Sequence, residues 1–333
     1  MQLLKTYVMG RFDDFGGVKL DRKDKLLLAE LDFGSRQSLA SLARKLGMSK
    51  RGVEYKMRRL EREKVILGYY PVINMPKLGY TYCRLAFSLR NTSPEKEKEI
   101  FAYLVKDPRF FWVFRVQGAA DVGFAMWAKS ISEFKDAVNA ITEKFGEYIN
   151  RQNETVTFDV IHYPHRYLLG KGEARELHIA ETSEHEEIDA LDTAILRALS
   201  DNARMPAVEI AGRVKASPQV VSYRIKSLEK RGIIAAYRVN VDHKRLGFVW
   251  YKLWVHSTHN HAKLVGFVKQ NPAVVYIVEG TGIPAELDVE IVVRDVLDIY
   301  RFVNGLRAAF PGEIGAYESM ILEEARKVRY FPF

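Results

Sequence analysis

Apolar residues along this chain recur first at helical spacing and then in alternation, and the whole succession of periods runs through twice. Leu26, Leu27, Leu28 and Leu31 begin a helical face, and a short second helix carries Leu39, Leu42, Ala43 and Leu46. After the tight turn Gly47-Met48, Ser49 stands where a helix start needs an acceptor for its free amides. A third helix is therefore predicted over residues 50 to about 64, with Val53, Met57 and Leu60 facing inward. In the second copy the faces are Leu191, Ile195, Leu196 and Leu199, then Val208, Ile210, Ala211 and Val214. After Lys215-Ala216, Ser217 caps a helix that opens on Pro218, ends near residue 231 and buries Val221, Ile225 and Leu228. Val65-Ile66-Leu67 and Ile233-Ile234-Ala235 follow as short extended segments, so each triplet reads as a winged helix-turn-helix.

The period then drops to two. Strands are predicted over 80–90, 111–117, 121–129 and 154–162, with helices over 94–106 and 132–145 between them. The second copy gives strands at 249–256, 274–280, 287–294 and 317–323 and helices at 262–270 and 296–310. The order strand, helix, strand, strand, helix, strand is the ferredoxin-like split arrangement. The expected fold class is α+β, with two winged helix-turn-helix and two ferredoxin-like domains in tandem.

Self-similarity fixes the organisation. Leu42-Ala43-Arg44-Lys45-Leu46-Gly47-Met48-Ser49 matches Ile210-Ala211-Gly212-Arg213-Val214-Lys215-Ala216-Ser217, 168 residues on. The same spacing relates Asp24 to Asp192, Arg36 to Arg204, Tyr55 to Tyr223, Tyr69 to Tyr237 and Leu78-Gly79 to Leu246-Gly247. Further on, Asp107-Pro108 answers Asn271-Pro272 and Gly118 answers Gly282, now 164 residues apart. The expected domains are an N-terminal extension at 1–19, helix-turn-helix units at 20–72 and 188–240, and sensor or pairing domains at 73–163 and 241–333. Residues 164–187 hold Gly170, Gly172 and many charges without an apolar period, which marks a linker or a loosely packed connection.

Composition narrows the class. Hydrophobic residues are 47% and charged residues 28%, the balance of a globular protein with real cores. The one cysteine, Cys83, lies in an alternating apolar run and reads as an inert core thiol of a reducing compartment. The first residues carry no long apolar segment, and the most apolar stretch, 248–255, is interrupted by Lys252, so a cytoplasmic protein without a membrane partner is expected. A net charge of +9 suits an acidic polymer as partner.

With these residues in this order, both halves resemble the Lrp/AsnC (feast/famine) transcription regulators, over residues 20–162 and 188–330. The features that carry the resemblance are Asp24, Arg36, Leu42-Ala43, Ser49 and Lys56, then Asp192, Arg204, Ile210-Ala211, Ser217 and Arg224. The resemblance implies double-stranded DNA as partner. The expected contacts are Ser49, Lys50, Arg51, Tyr55, Lys56, Arg58 and Arg59 on one helix, joined by Arg62, and Ser217, Gln219, Ser222, Tyr223, Arg224 and Lys226 on the other. It also implies a small effector such as an amino acid, held near Gly118 and Asp121 of the turn Gly118-Ala119-Ala120-Asp121. The second copy departs there, since five residues separate Gly282 from Asp288. The two copies are expected to pair as an internal pseudo-dimer, with further assembly between chains left open.

Neither metal nor cofactor is expected. His162, His165, His256, His259 and His261 lack the cysteines and carboxylates of a zinc site and read as loop polarity, and Trp112, Trp127, Trp250 and Trp254 read as packing. Enzyme motifs are missing, so the chain is read as a non-enzyme. A rival enzyme reading comes from siroheme decarboxylases, which resemble the same fused units. Their second sensor strand carries a His-Asn-Tyr run, whereas here it is Phe111-Trp112-Val113-Phe114-Arg115 or Val274-Val275-Tyr276-Ile277. A nucleoid-like architectural DNA-binding protein is the third reading.

Overall fold

The structure, a computed structural model, describes residues 18–182, 184–258, 260–328 and 331–332; the expected extension at 1–19 lies almost wholly outside them, as does His259. Three helices open copy one: α1 Arg22–Leu31, α2 Leu39–Leu46 and α3 Lys50–Arg62. Copy two answers with α6 Ala190–Asp201, α7 Ala207–Val214 and α8 Pro218–Lys230. The predicted inward residues Val53, Met57, Leu60, Val221, Ile225 and Leu228 are all buried.

The strand after each third helix does not fold back within its own domain. β1 (Ile66–Ile73) pairs antiparallel with β7 (Ile234–Val241) of the other copy. Tyr69 faces Val239, Tyr70 faces Arg238 and Pro71 faces Tyr237, so the repeat's pseudo-two-fold passes through the Tyr70–Arg238 pair. Two reciprocal arginines reinforce this contact. Arg36 donates to the carbonyls of Ala203 and Met205, the latter at 2.9 Å, while Arg204 donates to those of Ser35 and Gln37, the latter at 3.0 Å. Both helix-turn-helix units consequently share one apolar core.

The rest of copy one is β2 (Thr81–Leu89), α4 (Pro94–Lys106), β3 (Phe110–Gly118), β4 (Val122–Ala128), α5 (Ile131–Phe145) and β5 (Ile149–His162). Copy two supplies β8 (Val249–Ser257), α9 (His261–Val268), β9 (Val274–Thr281), β10 (Leu287–Val293), α10 (Val296–Ala309) and β11 (Ile314–Val328). Strand order is β5-β2-β4-β3 in one and β11-β8-β10-β9 in the other, so the two sheets have the same topology. β5 and β11 run longer than their alternation predicts: β5 gains residues 149–153, which pair with β2 of its own copy, whereas β11 gains residues 324–328, which cross to β3 of the other copy. β11 pairs with β8 and then with β3, and β5 pairs with β2 and then with β9. The sheets thus close on each other at two seams, with helices packed on the outer faces over separate cores. Cys83 is buried in the first, and burial pushes its thiol up to about 12, as an inert core cysteine requires. No helix among the described residues is long and apolar enough to cross a membrane.

The linker is not loose. His165, Arg166, Tyr167 and Leu168 are buried, as is Tyr163 just before them, and β6 (Leu177–Ala180) continues along β5 beyond the end of β2. Its apolar residues escape periodicity because they plug a junction instead of lining one face. There, fully buried Arg238 donates to both oxygens of Asp32 at 2.7 and 2.9 Å, to the Tyr163 carbonyl and to the Tyr276 hydroxyl. Burial alone would raise the Asp32 carboxyl, but Arg238 outweighs it and holds it below the usual carboxylate range. His162 and His165, expected as loop polarity, sit in this junction, and His243 joins them with its Nδ1 2.7 Å from the Tyr167 hydroxyl. Arg238 of a distant strand reaches His162 and Asp32 accepts the His165 amide, contacts that spacing along the chain cannot disclose.

Two outcomes follow from this junction. Arg238→Met leaves Asp32 as a buried, uncompensated charge and lowers unfolding stability by about 3–5 kcal/mol, whereas Arg238→Met with Asp32→Leu recovers a large part of it. A single variant as stable as the parent in urea denaturation would contradict this. Burial also pushes His162, His165 and His243 down to about 3, 4 and 3, below their ordinary 6.5. Groups whose folded value is depressed in this way favour the fold while neutral. Their contribution is complete above pH 6.5 and is lost as the pH falls from 6.5 toward 4, at up to about 1.4 kcal/mol per pH unit for each. Urea midpoints recorded from pH 7.5 to 5 should drop below pH 6.5, less steeply for His243→Gln; a flat profile would show the histidines to be hydrated.

Candidate nucleic-acid interface

Each third helix begins on a serine cap. Ser49 Oγ accepts from the Gly52 amide at 3.1 Å and Ser217 Oγ from the Val220 amide at 3.2 Å. Both serines hold the turn, and what lies beyond them on the helix is the exposed face. On α3 that face presents Lys50, Arg51, Tyr55, Arg58 and Arg62. Arg58 meets Glu54 of its own helix, in an exposed i,i+4 pair of little energetic weight. On α8 the expected contacts Gln219, Tyr223 and Lys226 are exposed, with Ser222 half-buried beside them. Tyr55 and Tyr223 occupy the same position in the repeat and are 66% and 71% exposed, too much for core aromatics.

Three expected contacts turn inward. Lys56 lies 2.6 Å from Asp21 and 2.9 Å from fully buried Asp24, and its hydrogen bond draws the Asp21 carboxyl down to about 2. Arg59 meets Asp24 at 2.6 Å from the other side. In copy two Arg224 takes Asp189 and Asp192 at 2.9 and 3.3 Å. These cations tie the third helix to the first, which is why an acidic residue in the first helix and a basic one in the third recur together in both copies. That recurrence was the available signal.

The pair expected to hold an effector is likewise engaged in structure. Asp121 Oδ2 accepts the Leu89 amide at 2.7 Å, closing the turn onto β2. Gly118 has φ +128°, and a Cβ there would stand 2.1 Å from the Ser319 carbonyl oxygen, so glycine is what lets β3 approach β11. Gly282 does the same at the other seam, against Glu154. Between the sheets, a cavity of about 20 Å³ among Trp112, Phe114, Trp250 and Trp254 has room for about one water. Among the described residues no cluster of three or more His, Cys, Asp or Glu could hold a metal. His261 pairs with Glu279 at 3.0 Å and His256 lies 3.6 Å from Glu286.

Electrostatics separates the layers. Residues 20–66 hold thirteen basic against seven acidic residues and residues 188–235 eight against five, so the chain's whole excess of +9 belongs to the two helix-turn-helix segments.

A winged helix-turn-helix DNA-binding profile matches residues 20–66 and 188–235. An HTH-type transcriptional regulator of Pyrococcus furiosus is 33% identical over 141 residues, 41% of this chain and 90% of that protein. The regulator LrpB of Bacillus subtilis is 34% identical over 84 residues, 25% of this chain and 56% of LrpB. With LrpB and an archaeal LrpA the match spans about half of the relative's length. Among solved structures, the siroheme decarboxylase NirDL, crystallised with an iron-uroporphyrin III analogue, superposes with a TM-score of 0.60. That superposition covers 93% of this chain and 94% of NirDL at 13% identity, a likeness of fold.

The inward and outward cations part company on substitution. Lys56→Met strips a partner from buried Asp24 and lowers stability by about 1–3 kcal/mol, while Arg51→Ala, on the exposed face, stays within about 0.5 kcal/mol of the parent. Equal melting temperatures for the two variants would refute the division.

Proposed function

Because this chain belongs to the Lrp/AsnC family of helix-turn-helix transcription regulators, we propose that it is a sequence-specific DNA-binding regulator in which one polypeptide does the work of a dimer. The observation that carries the reading is the confinement of the net positive charge to two helix-turn-helix units held together by β1–β7. Cations on α3 meet phosphates, and Arg51 or Arg58 can present a fork to guanine; on α8, Gln219, Ser222 and Tyr223 suit base edges, with Lys226 as the phosphate contact. The two ferredoxin-like halves act as the pairing layer. The faces of α3 and α8 differ at Lys50-Arg51 against Pro218-Gln219, so the preferred operator has two dissimilar half-sites about one helical turn apart or a multiple of it.

An amino-acid effector between the sheets has to displace part of the Trp112, Trp250 and Trp254 packing, since the space there now holds about one water. The decarboxylase reading is favoured by one observation, the full-length likeness to NirDL. Against it stand the same small cavity, far below the several hundred Å³ of a cofactor pocket, and the absence of histidine from β3 and β9. Purified protein offered siroheme should show no bound-haem absorbance under this proposal.

Selection of sites from random DNA, with binding measured over a salt series, tests the main reading. Arg51→Ala or Arg58→Ala weakens specific binding by about 1–3 kcal/mol if the side chain grips a base, or flattens the salt dependence if it grips phosphate. Enrichment of a perfect palindrome bound by one chain would sink the asymmetric operator, and no enrichment would leave an architectural DNA-binding protein. For the effector, melting shifts with amino acids, compared between the parent and Asp121→Ala, decide; no shift in either speaks against sensing.

A further inference from the structure

Four charges are enclosed between the two sheets. Arg84 on β2 pairs with Asp288 on β10 at 2.9 Å; Lys252 on β8 pairs with Asp288 and, at 3.2 Å, with Glu290; and Trp250 Nε1 donates to Glu290 at 3.1 Å. Arg84 is 4% exposed, Asp288 1% and Glu290 7%, so the set must balance internally. It does balance, but unequally between the copies. Arg84 and Lys252 are counterparts in the repeat, each facing the third strand of its own sheet. The residue opposite Lys252 is Glu290, and the residue opposite Arg84 is Ala125. Asp288 faces Trp254, and the matching position in copy one, opposite Ala86, is Gly123. Copy one thus brings one cation and no carboxylate, whereas copy two brings one cation and two carboxylates. Two copy-one sheets closed on each other would bury two unpaired arginines, and two copy-two sheets would bury two lysines among four carboxylates.

We propose that this network is a pairing code: the copy-one sheet accepts only a partner whose third strand presents Asp288 and Glu290, so sheets of like kind from two chains, or from a single-unit relative without those acids, are refused. Its partner is copy two of the same chain or, in a reciprocal exchange, copy two of a second identical chain. The inference concerns the pairing layer and stands whether or not the chain binds DNA.

The test uses two full-length variants. Arg84→Glu leaves one cation and three carboxylates between the sheets, and Asp288→Lys leaves three cations and one carboxylate. In a reciprocal exchange between them, one enclosure holds both introduced side chains, a glutamate and a lysine, together with Lys252 and Glu290. The other enclosure holds the native four, and both are neutral. Each variant alone should melt below the parent. Co-expressed, they should give a mixed complex of twice the chain mass as the main dimer in native mass spectrometry, well above the one half of dimers that random pairing gives. Its melting should return toward the parent's. If neither variant folds alone, recovery of soluble protein on co-expression supports the code. Statistical mixing, separate chains, no recovery, or parental stability in either variant alone would overturn it.

Discussion

Burying one guanidinium completely sets terms that the neighbouring elements all have to meet. Arg238 stands at the pseudo-two-fold of the β1–β7 ribbon, where a symmetric dimer would place a residue against its own copy. Here it faces Tyr70, and its donors go instead to Asp32 at the end of α1, to the linker at Tyr163 and to Tyr276 of β9. Those three partners belong to the first helix-turn-helix, the connection between copies and the second sheet. A shift of any one strands a charge or a donor in an apolar junction, and such a loss is several times larger than that of an exposed ion pair. The ribbon's register, the packed linker and the seating of the helix-turn-helix layer on the sheets are therefore one constraint.

Duplication explains how such a residue can exist. In a homodimer an arginine on the axis would meet a second arginine, and the aspartate that answers it would occur twice. Fusion lets the counterparts diverge. The repeat position of Arg238 is Tyr70 and that of Asp32 is Ser200, so each copy carries one member of the pair and neither repeats it. The same division recurs between the sheets, where the carboxylates are concentrated on β10. Asymmetry of this kind accumulates where the halves touch, while the caps, the inward faces of the third helices and the seam glycines Gly118 and Gly282 stay matched.

Much of this was legible in the residues. Periodicity placed the helices of both units to within about four residues, because capping serines and inward apolar triplets are local features. Strand lengths were less legible. Alternation tells which face of β5 or β11 is buried but not that the strand leaves one sheet for another, since pairing across more than a hundred residues has no local signature. The expected contacts include Lys56, Arg59 and Arg224, and only their pairing with Asp24 or Asp192 separates structural cations from exposed ones. The clue lay in the repeat itself: Asp24 with Lys56 returns as Asp192 with Arg224, an exchange that preserves sign and reach and so marks a contact. The buried histidines had no comparable mark, because the arginine that gathers His162 belongs to β7 and the aspartate beside His165 to α1.

Charge is thus used in two ways, in two layers. In the helix-turn-helix layer the excess is left exposed, where water keeps its cost low and an anionic polymer can collect it by releasing counterions. Between the sheets the same side chains are enclosed and cancelled, where each imbalance is expensive and therefore selective. The Arg238 junction joins the layers through packed and bonded groups. A rearrangement of the sheets that moved Tyr276 or Tyr163 would have to break that arginine's bonds or carry Asp32 and α1 with it. The orientation of α3 follows through the contacts of Lys56 and Arg59 with buried Asp24, so a movement of the sheets reaches the third helix of copy one through ion pairs anchored on Asp32 and Asp24.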